Sequence, residues 1–327
     1  MKKNIAIVMG GFSSEFDISV NSGNVVYKWL DRERYNPFRI LITPDKWVLL
    51  DADENEYPVN RHDFSVRKDG EVINFDCVFN AIHGTPGEDG ILQAYLDLLG
   101  MPYTSCGAYQ AALTFNKRDL LSVLKPRGVH CATSYLLDRG QDYSAEAIFD
   151  RVGLPCFVKA NRAGSSFGVS MVKEASEFED ALAAAFREDD EVLIESALKG
   201  TEVSVGVIRY KGKVCVLPIT EIIPEGDFFD YHAKYQGKSS EITPARLNPV
   251  VRQKVEETAR FIYESLKMRG YSRSEFILVE NTPYFLEMNT TPGLTEASIL
   301  PQQAGEAGIS LPDLFGSAIE DALGKKP

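Results

Sequence analysis

Arg273-Ser-Glu-Phe-Ile-Leu-Val-Glu-Asn-Thr-Pro-Tyr-Phe-Leu-Glu-Met-Asn289 is the stretch whose reading decides the fold. Two apolar runs, Phe276 to Val279 and Tyr284 to Met288, flank Asn281-Thr282-Pro283, and this predicts a β-hairpin that turns on those three residues. Side chains alternate along a strand, so Arg273 shares a face with Glu275, and Glu287 with Asn289. Folding about the turn sets Glu275 opposite residues 287 to 289, within cross-strand reach. Two carboxylates and an amide oxygen form a hard, oxygen-rich cation site of the kind Mg²⁺ shares with substrate phosphates. The plainer alternative is a solvated hairpin face carrying a surface ion pair, and the hairpin alone does not separate the two. Thr290-Thr-Pro-Gly293 tips the balance, because a glycine there can present its N–H to an oxyanion. The hairpin therefore points to a metal-dependent, phosphate-handling enzyme.

Bulk properties set limits around that reading. A chain of 327 residues exceeds one ordinary core and implies two or three domains. Its 44% apolar and 25% charged content is that of a globular protein. A net charge of −12 argues against nucleic acid or an anionic membrane as partner, though not against a nucleotide, which needs only a local cluster of lysines and amides. The five cysteines show no C-x-x-C spacing, so reduced core thiols are expected, not zinc or disulfides. Lys2-Lys3 precede only the short run Ile5 to Met9, which reads as a first strand and not a signal peptide. No apolar stretch approaches membrane-spanning length, and the expected location is the cytoplasm.

Working outward, the chain reads as α/β. Ile5 to Met9 is a buried, parallel-type strand ending in Gly10-Gly11, and a helix follows from about Ser14 with Ile18, Val25, Val26 and Trp29 inward. Strands are expected at Phe38 to Ile42 and Cys77 to Ile82. His83-Gly-Thr-Pro-Gly-Glu-Asp-Gly90 then opens a helix with Ile91, Leu92, Tyr95, Leu96 and Leu99 apolar. Residues 1–105 thus form one unit with two glycine-rich strand-to-helix turns, where open sheets bind ligands. A middle segment, 106–196, carries strands at Cys156 to Lys159 and Val192 to Glu195. The last, 197–327, has strands at Glu202 to Ile208 and Val214 to Pro218. It also holds a long helix with Asn248 as N-cap, Pro249 at N1, and Val251, Val255, Ala259, Ile262 and Leu266 apolar.

Lys159-Ala-Asn-Arg-Ala-Gly-Ser-Ser-Phe-Gly168 is the second chemical signal. A strand ending in lysine leads into a loop with two glycines and two hydroxyls, a combination that cradles phosphates through backbone N–H groups. Many surface turns share that composition, so the loop is weak evidence alone. Gly237-Lys-Ser239 is no Walker site, because His232 stands where that motif needs its first glycine.

Taken in order, these pieces resemble the D-alanine–D-alanine ligases of the ATP-grasp superfamily. The resemblance rests on Gly10-Gly-Phe-Ser-Ser-Glu15 with Ser19 and Ser22, His83 to Gly90, Lys159 to Gly168, Glu195, Phe229-Asp-Tyr-His-Ala-Lys-Tyr235, and Glu287-x-Asn-Thr-x-Pro-Gly293 with Ser298, and it spans about residues 4 to 320. It implies an ATP-grasp fold: an N-terminal Rossmann-like domain followed by two α+β subdomains that enclose ATP. The implied reaction joins two D-alanines with ATP through a D-alanyl phosphate, for a peptidoglycan precursor, in a homodimer. By similarity, Glu275, Glu287 and Asn289 hold two Mg²⁺ (or Mn²⁺), while Lys117, Lys159 and Lys234 supply positive charge to the phosphates. Ser165, Ser166 and Phe228 complete the ATP site, Glu195 and Leu198 line the adenine hinge, and Glu202 takes the ribose hydroxyls. Glu15 binds the ammonium of the first D-alanine with Ser165 holding it, and Arg273 with the Gly293 N–H stabilises the tetrahedral oxyanion. Ser298 and Ile299 line the second D-alanine pocket, His83 sits close to the substrates, and a loop at about 224–241 bearing Tyr235 closes over them. The family's Arg-x-Asp is Arg273-Ser-Glu275 here, one methylene longer. Alternatives are a ligase with a different acceptor, such as D-lactate, and an ATP-binding pseudoenzyme.

Overall fold

Three β-sheets succeed one another along the chain in the computed structural model, which describes residues 2–165, 167–224 and 239–324. The first has seven strands: β1 (Lys3–Gly10), β2 (Tyr35–Ile42), β3 (Trp47–Leu50), β4 (Glu56–Asn60), β5 (Ser65–Lys68), β6 (Glu71–Ile73) and β7 (Cys77–Asn80), in the order β6-β5-β4-β3-β2-β1-β7. β1 runs parallel to β2 and β7, and its Ile5, Ala6, Ile7 and Val8 are wholly buried, as a strand covered on both faces requires. The remaining strands form an antiparallel meander from β2. Its short, partly exposed strands give no continuous apolar signal, and the sequence reading did not find them.

Helix α1 (Phe16–Trp29) corrects one expectation. Val26 is buried as predicted, but Trp29 is 37% exposed, and the buried face is otherwise Ser19, Ser22 and Gly23. Where the helix passes Met9 it packs closely, since a Cβ at Gly23 would stand 2.7 Å from the Met9 side chain. Ser19 Oγ accepts the Gly10 N–H at 2.9 Å and donates to the Ala81 carbonyl at 2.9 Å. Trp29, at the far end of the helix, instead donates its indole N–H to Glu296 Oε1 at 2.7 Å. Helix α2 (Ile91–Leu98) buries Leu92 and Leu96, but Ile91, expected inward, is 61% exposed, and Gln93 takes an inner place.

Helices α3 (Ala108–Phe115) and α4 (Lys117–Leu124) lead to the second sheet, made of β8 (Ser134–Asp138), β9 (Cys156–Ala160), β10 (Ser170–Val172) and β11 (Glu191–Ser196), all antiparallel in the order β10-β9-β11-β8. Helices α5 (Ala145–Val152) and α6 (Phe178–Ala185) cover one of its faces with Ile148, Val152, Phe178 and Leu182. The other face stays open to the third sheet. None of the five cysteines is in a disulfide, as expected, and Cys77, Cys106 and Cys156 are buried.

That third sheet holds β12 (Thr201–Tyr210), β13 (Lys213–Val216), β14 (Thr220–Pro224), β15 (Ser239–Ile242), β16 (Tyr271–Val279) and β17 (Thr282–Asn289), ordered β15-β14-β12-β16-β17 with β13 beside β12. One face packs on α7 (Pro249–Ser265), where Val251, Val255, Ala259 and Ile262 are buried and Asn248 Oδ1 caps the Val251 N–H at 3.0 Å, all as the sequence predicts. Helices α8 (Ile299–Glu306) and α9 (Leu311–Leu323) close the chain, and Gln303 of α8 bonds both Gly206 and Ser204 of β12.

The hairpin forms with Arg273 paired to Asn289 and Glu275 to Glu287. Its turn is shorter than predicted. Glu280 and Asn281 alone make it, with φ of 49° and 65°, and Thr282 and Pro283 already belong to β17. A two-residue turn with both central φ values positive matches the twist of the strands. Among the described residues no helix is long and apolar enough to cross a membrane.

Candidate active site

A cavity of about 710 Å³ lies between the second and third sheets, a size suited to a nucleotide-class ligand. Residues directly opposed across antiparallel strands share a face, so the pairs Phe157–Glu195 and Lys159–Leu193 aim one way from the second sheet. Phe157, Lys159, Met171, Glu195 and Leu198 line that wall. The opposite wall carries Glu202, Ile222, Glu275, Ile277, Leu286 and Glu287. The apolar members, Phe157, Met171, Ile222, Ile277 and Leu286, were missed in the sequence, since each looks like ordinary core.

Leu286 and Glu287 are chain neighbours, yet both face the cleft. The register slips between Glu275 and Phe276, which leaves Leu286 as an extra residue in β17. A β-bulge of this kind turns two successive side chains to one side. An apolar contact and a carboxylate thereby stand adjacent.

Lys159 pairs with Glu195 at the cleft wall, both nearly buried. Burial pushes the lysine's pKa down, but Glu195, with Glu287 and Glu275 behind it, outweighs burial and the net shift is upward. Lys117 is 8% exposed, not a solvated surface charge; its Nζ lies 2.6 Å from the Ala163 carbonyl and 3.5 Å from Glu287 Oε2. Asn116 and Asn161 fix its helix start, through Asn116 Oδ1 to the Asp119 N–H and Asn161 Oδ1 to the Arg118 N–H.

The hairpin face gathers as predicted. Glu275 is 3% exposed and takes a 2.8 Å bond from Arg273 Nη2. Among the described residues no three His, Cys, Asp or Glu side chains group into a metal site. Two carboxylates and the Asn289 amide leave most of a coordination shell open, which fits Mg²⁺ held partly by substrate phosphates and water.

Beyond Glu287 a small cavity of about 30 Å³ is lined by Glu15, His83, Glu88, Ser165, Arg273 and Gly293, among others. Ser165 Oγ donates to Glu15, and a Cβ at Gly164 would come within 2.7 Å of both Glu15 carboxylate oxygens, so a larger residue there would displace the Glu15 carboxylate. Ser298 stands at the N-cap position of α8 without a side-chain cap bond; its Oγ lies 2.7 Å from Thr295 Oγ1, and a Cβ at Gly293 would lie 2.8 Å from that Oγ. Ile299 is buried against Ile222. The sequence reading quoted Glu88 within its motif without giving it a part; here it is buried beside Glu15, and two backbone N–H groups reach it. Ser166, Phe228, Lys234, Tyr235 and the loop residues 225–238 lie outside the described residues.

His83 is buried with Ser22 Oγ 3.0 Å from its Nε2. Burial, helped by the Arg273 charge, lowers its pKa to about 4. The unfolded chain therefore takes up a proton near pH 6.5 that the folded chain refuses until about pH 4. Stability is lost as pH falls through that window, by about 1.4 kcal/mol per pH unit. Urea unfolding of wild type and His83→Gln at about pH 6.5 and 5 should show wild type losing roughly 2 kcal/mol more. Glu88, with its raised pKa, contributes the opposite slope to both proteins and cancels. Equal losses would mean that His83 is protonated in the folded state.

A nucleotide-sized cleft between two antiparallel sheets, with lysines on its walls and carboxylates at one end, defines an ATP-grasp enzyme. The chain belongs to the D-alanine–D-alanine ligase family: the D-ala D-ala ligase N-terminus matches residues 4–106 and the C-terminus residues 129–320. It is 63% identical to a D-alanine–D-alanine ligase of Flavobacterium johnsoniae, across 98% of this chain and 99% of that protein. A D-alanyl-alanine synthetase A from Vibrio cholerae superposes with a TM-score of 0.88 at 27% identity, covering 99% of each chain. A D-alanine–D-alanine ligase from Bacillus anthracis complexed with ATP superposes at 0.78 with 28% identity, covering 98% of this chain and 97% of that one.

Proposed function

We propose that the chain joins two D-alanines into D-alanyl-D-alanine, with ATP in the large cavity and the amino acids in the small one. The observation that carries this reading is Glu287, which lines both cavities and so marks where a terminal phosphate would meet a carboxylate. Amide formation from a free carboxylate needs that carboxylate activated, and phosphorylation supplies a leaving group that an amine can displace. Phosphoryl transfer demands positioning and charge neutralisation more than covalent help. Lys159 and Lys117 meet the phosphates, and Glu195, Leu198 and Glu202 take the base and ribose. Glu275, Glu287 and Asn289 would hold Mg²⁺, which when bound supplies charge neutralisation at the phosphate oxygens.

On the substrate side, Glu15 pairs with the first ammonium while Ser165 orients the carboxylate of Glu15. Arg273 and the Gly293 N–H face the oxygen that gains charge as the amine attacks. Ser298 and Ile299 border the second amino acid, and the loop carrying Phe228, Lys234 and Tyr235 excludes water from the acyl phosphate. The proposed division into domains is 1–105, 106–196 and 197–327, with one sheet in each. A cytoplasmic homodimer completes the reading, and sedimentation analysis tests the dimer.

The direct test is phosphate release from ATP with and without D-alanine. Release should require D-alanine and equal dipeptide formed, whereas hydrolysis independent of D-alanine with no dipeptide rules the reading out. Glu275→Asp is a finer probe. If the longer arm is accommodated, as its tie to Arg273 suggests, activity should stay within about tenfold, roughly 1.4 kcal/mol in barrier. A much larger loss would show that the cleft is built around the extra methylene.

A further inference from the structure

Glu88 is buried at 5% exposure in the turn that follows His83. Its Oε2 accepts the Gly84 N–H at 2.9 Å, within its own turn. Its Oε1 accepts the Thr291 N–H at 3.0 Å, from a residue 203 positions away. One carboxylate thus joins the His83 turn to the loop that carries Gly293. The turn itself is rigid: Asn80 Nδ2 holds the Gly87 carbonyl at 2.8 Å, and a Cβ at Gly87 would fall 2.3 Å from the Ile82 carbonyl. On the far side of Gly293, the Leu294 N–H reaches Ser22 Oγ at 3.3 Å. Gly293 is therefore bracketed by two ties to the first unit of the chain.

This carboxylate sits where it is costly. Burial first, and Glu15 second, raise its pKa, and the backbone N–H bonds offset only part of that. A hydrophobic side chain would fill the space without the cost of burying a polar carboxyl group, so a purely space-filling part does not explain a glutamate.

We propose that Glu88 is a positioning residue for the second half of the reaction, setting the gap between the Glu15–His83 wall and the Gly293 N–H by holding Gly84 and Thr291 on one carboxylate. The proposal rests on the ligase reading above. In that reading the amine of the second amino acid must reach the acyl carbon while the Gly293 N–H meets the oxygen. Misplacement by about 1 Å can cost on the order of 100-fold in such a step. An acyl phosphate that waits too long is lost to water, so a loosened gap shows as phosphate released without dipeptide.

The experiment compares wild type, Glu88→Gln and Glu88→Asp for phosphate released per dipeptide, KM for each substrate and thermal midpoint. Gln keeps the shape but sets an NH₂ group against one of the two backbone N–H donors; Asp keeps both carboxyl oxygens on a shorter arm. Wild type should release about one phosphate per dipeptide, and Glu88→Gln at least about threefold more, because a misplaced acceptor slows capture while hydrolysis continues. KM for the acceptor D-alanine should rise about tenfold, with KM for ATP unchanged within about twofold. Glu88→Asp should fall between the two. A ratio that stays at one in both variants, whether turnover is normal or slow, overturns the proposal. So does a parallel rise in both KM values with a lowered thermal midpoint, which marks a folding role. If Gln does not fold, the ratio for Asp alone decides. Wild type that makes no dipeptide would instead defeat the ligase reading, and the two failures are distinct.

Discussion

Glu287→Gln should fold normally and lose at least about 10³-fold in turnover, close to 4 kcal/mol of barrier. Its carboxylate lies opposite Glu275 across the hairpin, borders both cavities, and stands 3.5 Å from the Lys117 ammonium. The cation proposed to be shared with phosphates would need that negative charge, and an amide of equal size cannot supply it. Stability should move by no more than about 1 kcal/mol, since the change removes a like-charge cross-strand pair as well as a weak ion pair. Lys117 also keeps its bond to Ala163. The check pairs a thermal melt with ATP-dependent phosphate release in D-alanine. Near-native turnover would reduce the hairpin face to ordinary surface.

Lys159→Met should damage both stability and turnover. The lysine and Glu195 are 11% and 5% exposed in their side chains, and they pair with each other. Removing the cation leaves a carboxylate buried without its partner, a loss of about 3–5 kcal/mol. It also removes a positive charge from the cavity wall proposed to meet the phosphates. The double variant Lys159→Met, Glu195→Gln separates stability from nucleotide binding, in which both residues are proposed to take part. With the buried charge gone, most of the stability should return, while KM for ATP stays raised by at least about tenfold. Recovery of both in the double variant would make the pair a structural element and remove Lys159 from the nucleotide site. Chemical denaturation and initial rates on the three proteins decide it.

What the sequence made legible follows from how local each signal is. The hairpin could be placed because alternation and a turn lie within seventeen neighbouring residues, and Glu275 does face Glu287. The Leu286 bulge could not, because a register slip depends on how β16 and β17 meet and leaves the apolar pattern of each strand intact. Helix α7 was read to its cap because Asn248, Pro249 and a regular apolar face are all local. Helix α1 was misjudged at Trp29, since its indole N–H finds Glu296, 267 positions along the chain, which no local pattern shows. Lys117 and Glu88 share one limit: each owes its burial to segments far along the chain, Lys117 to Ala163 and Glu88 to Thr291. The motif resemblance put Glu15, Ser165, Arg273 and Gly293 together, and the fold brings those four around one small cavity.

The most direct measurement follows an oxygen atom. D-Alanine labelled with ¹⁸O in its carboxylate is turned over with unlabelled ATP in unlabelled water, and the released phosphate is weighed. If the carboxylate attacks the terminal phosphorus and the amine then displaces phosphate, one labelled oxygen leaves with each phosphate, matched one for one by D-alanyl-D-alanine. Phosphate that carries no label, with the ¹⁸O still in the amino acid, would mean that water is the attacking group and would contradict the account at its centre.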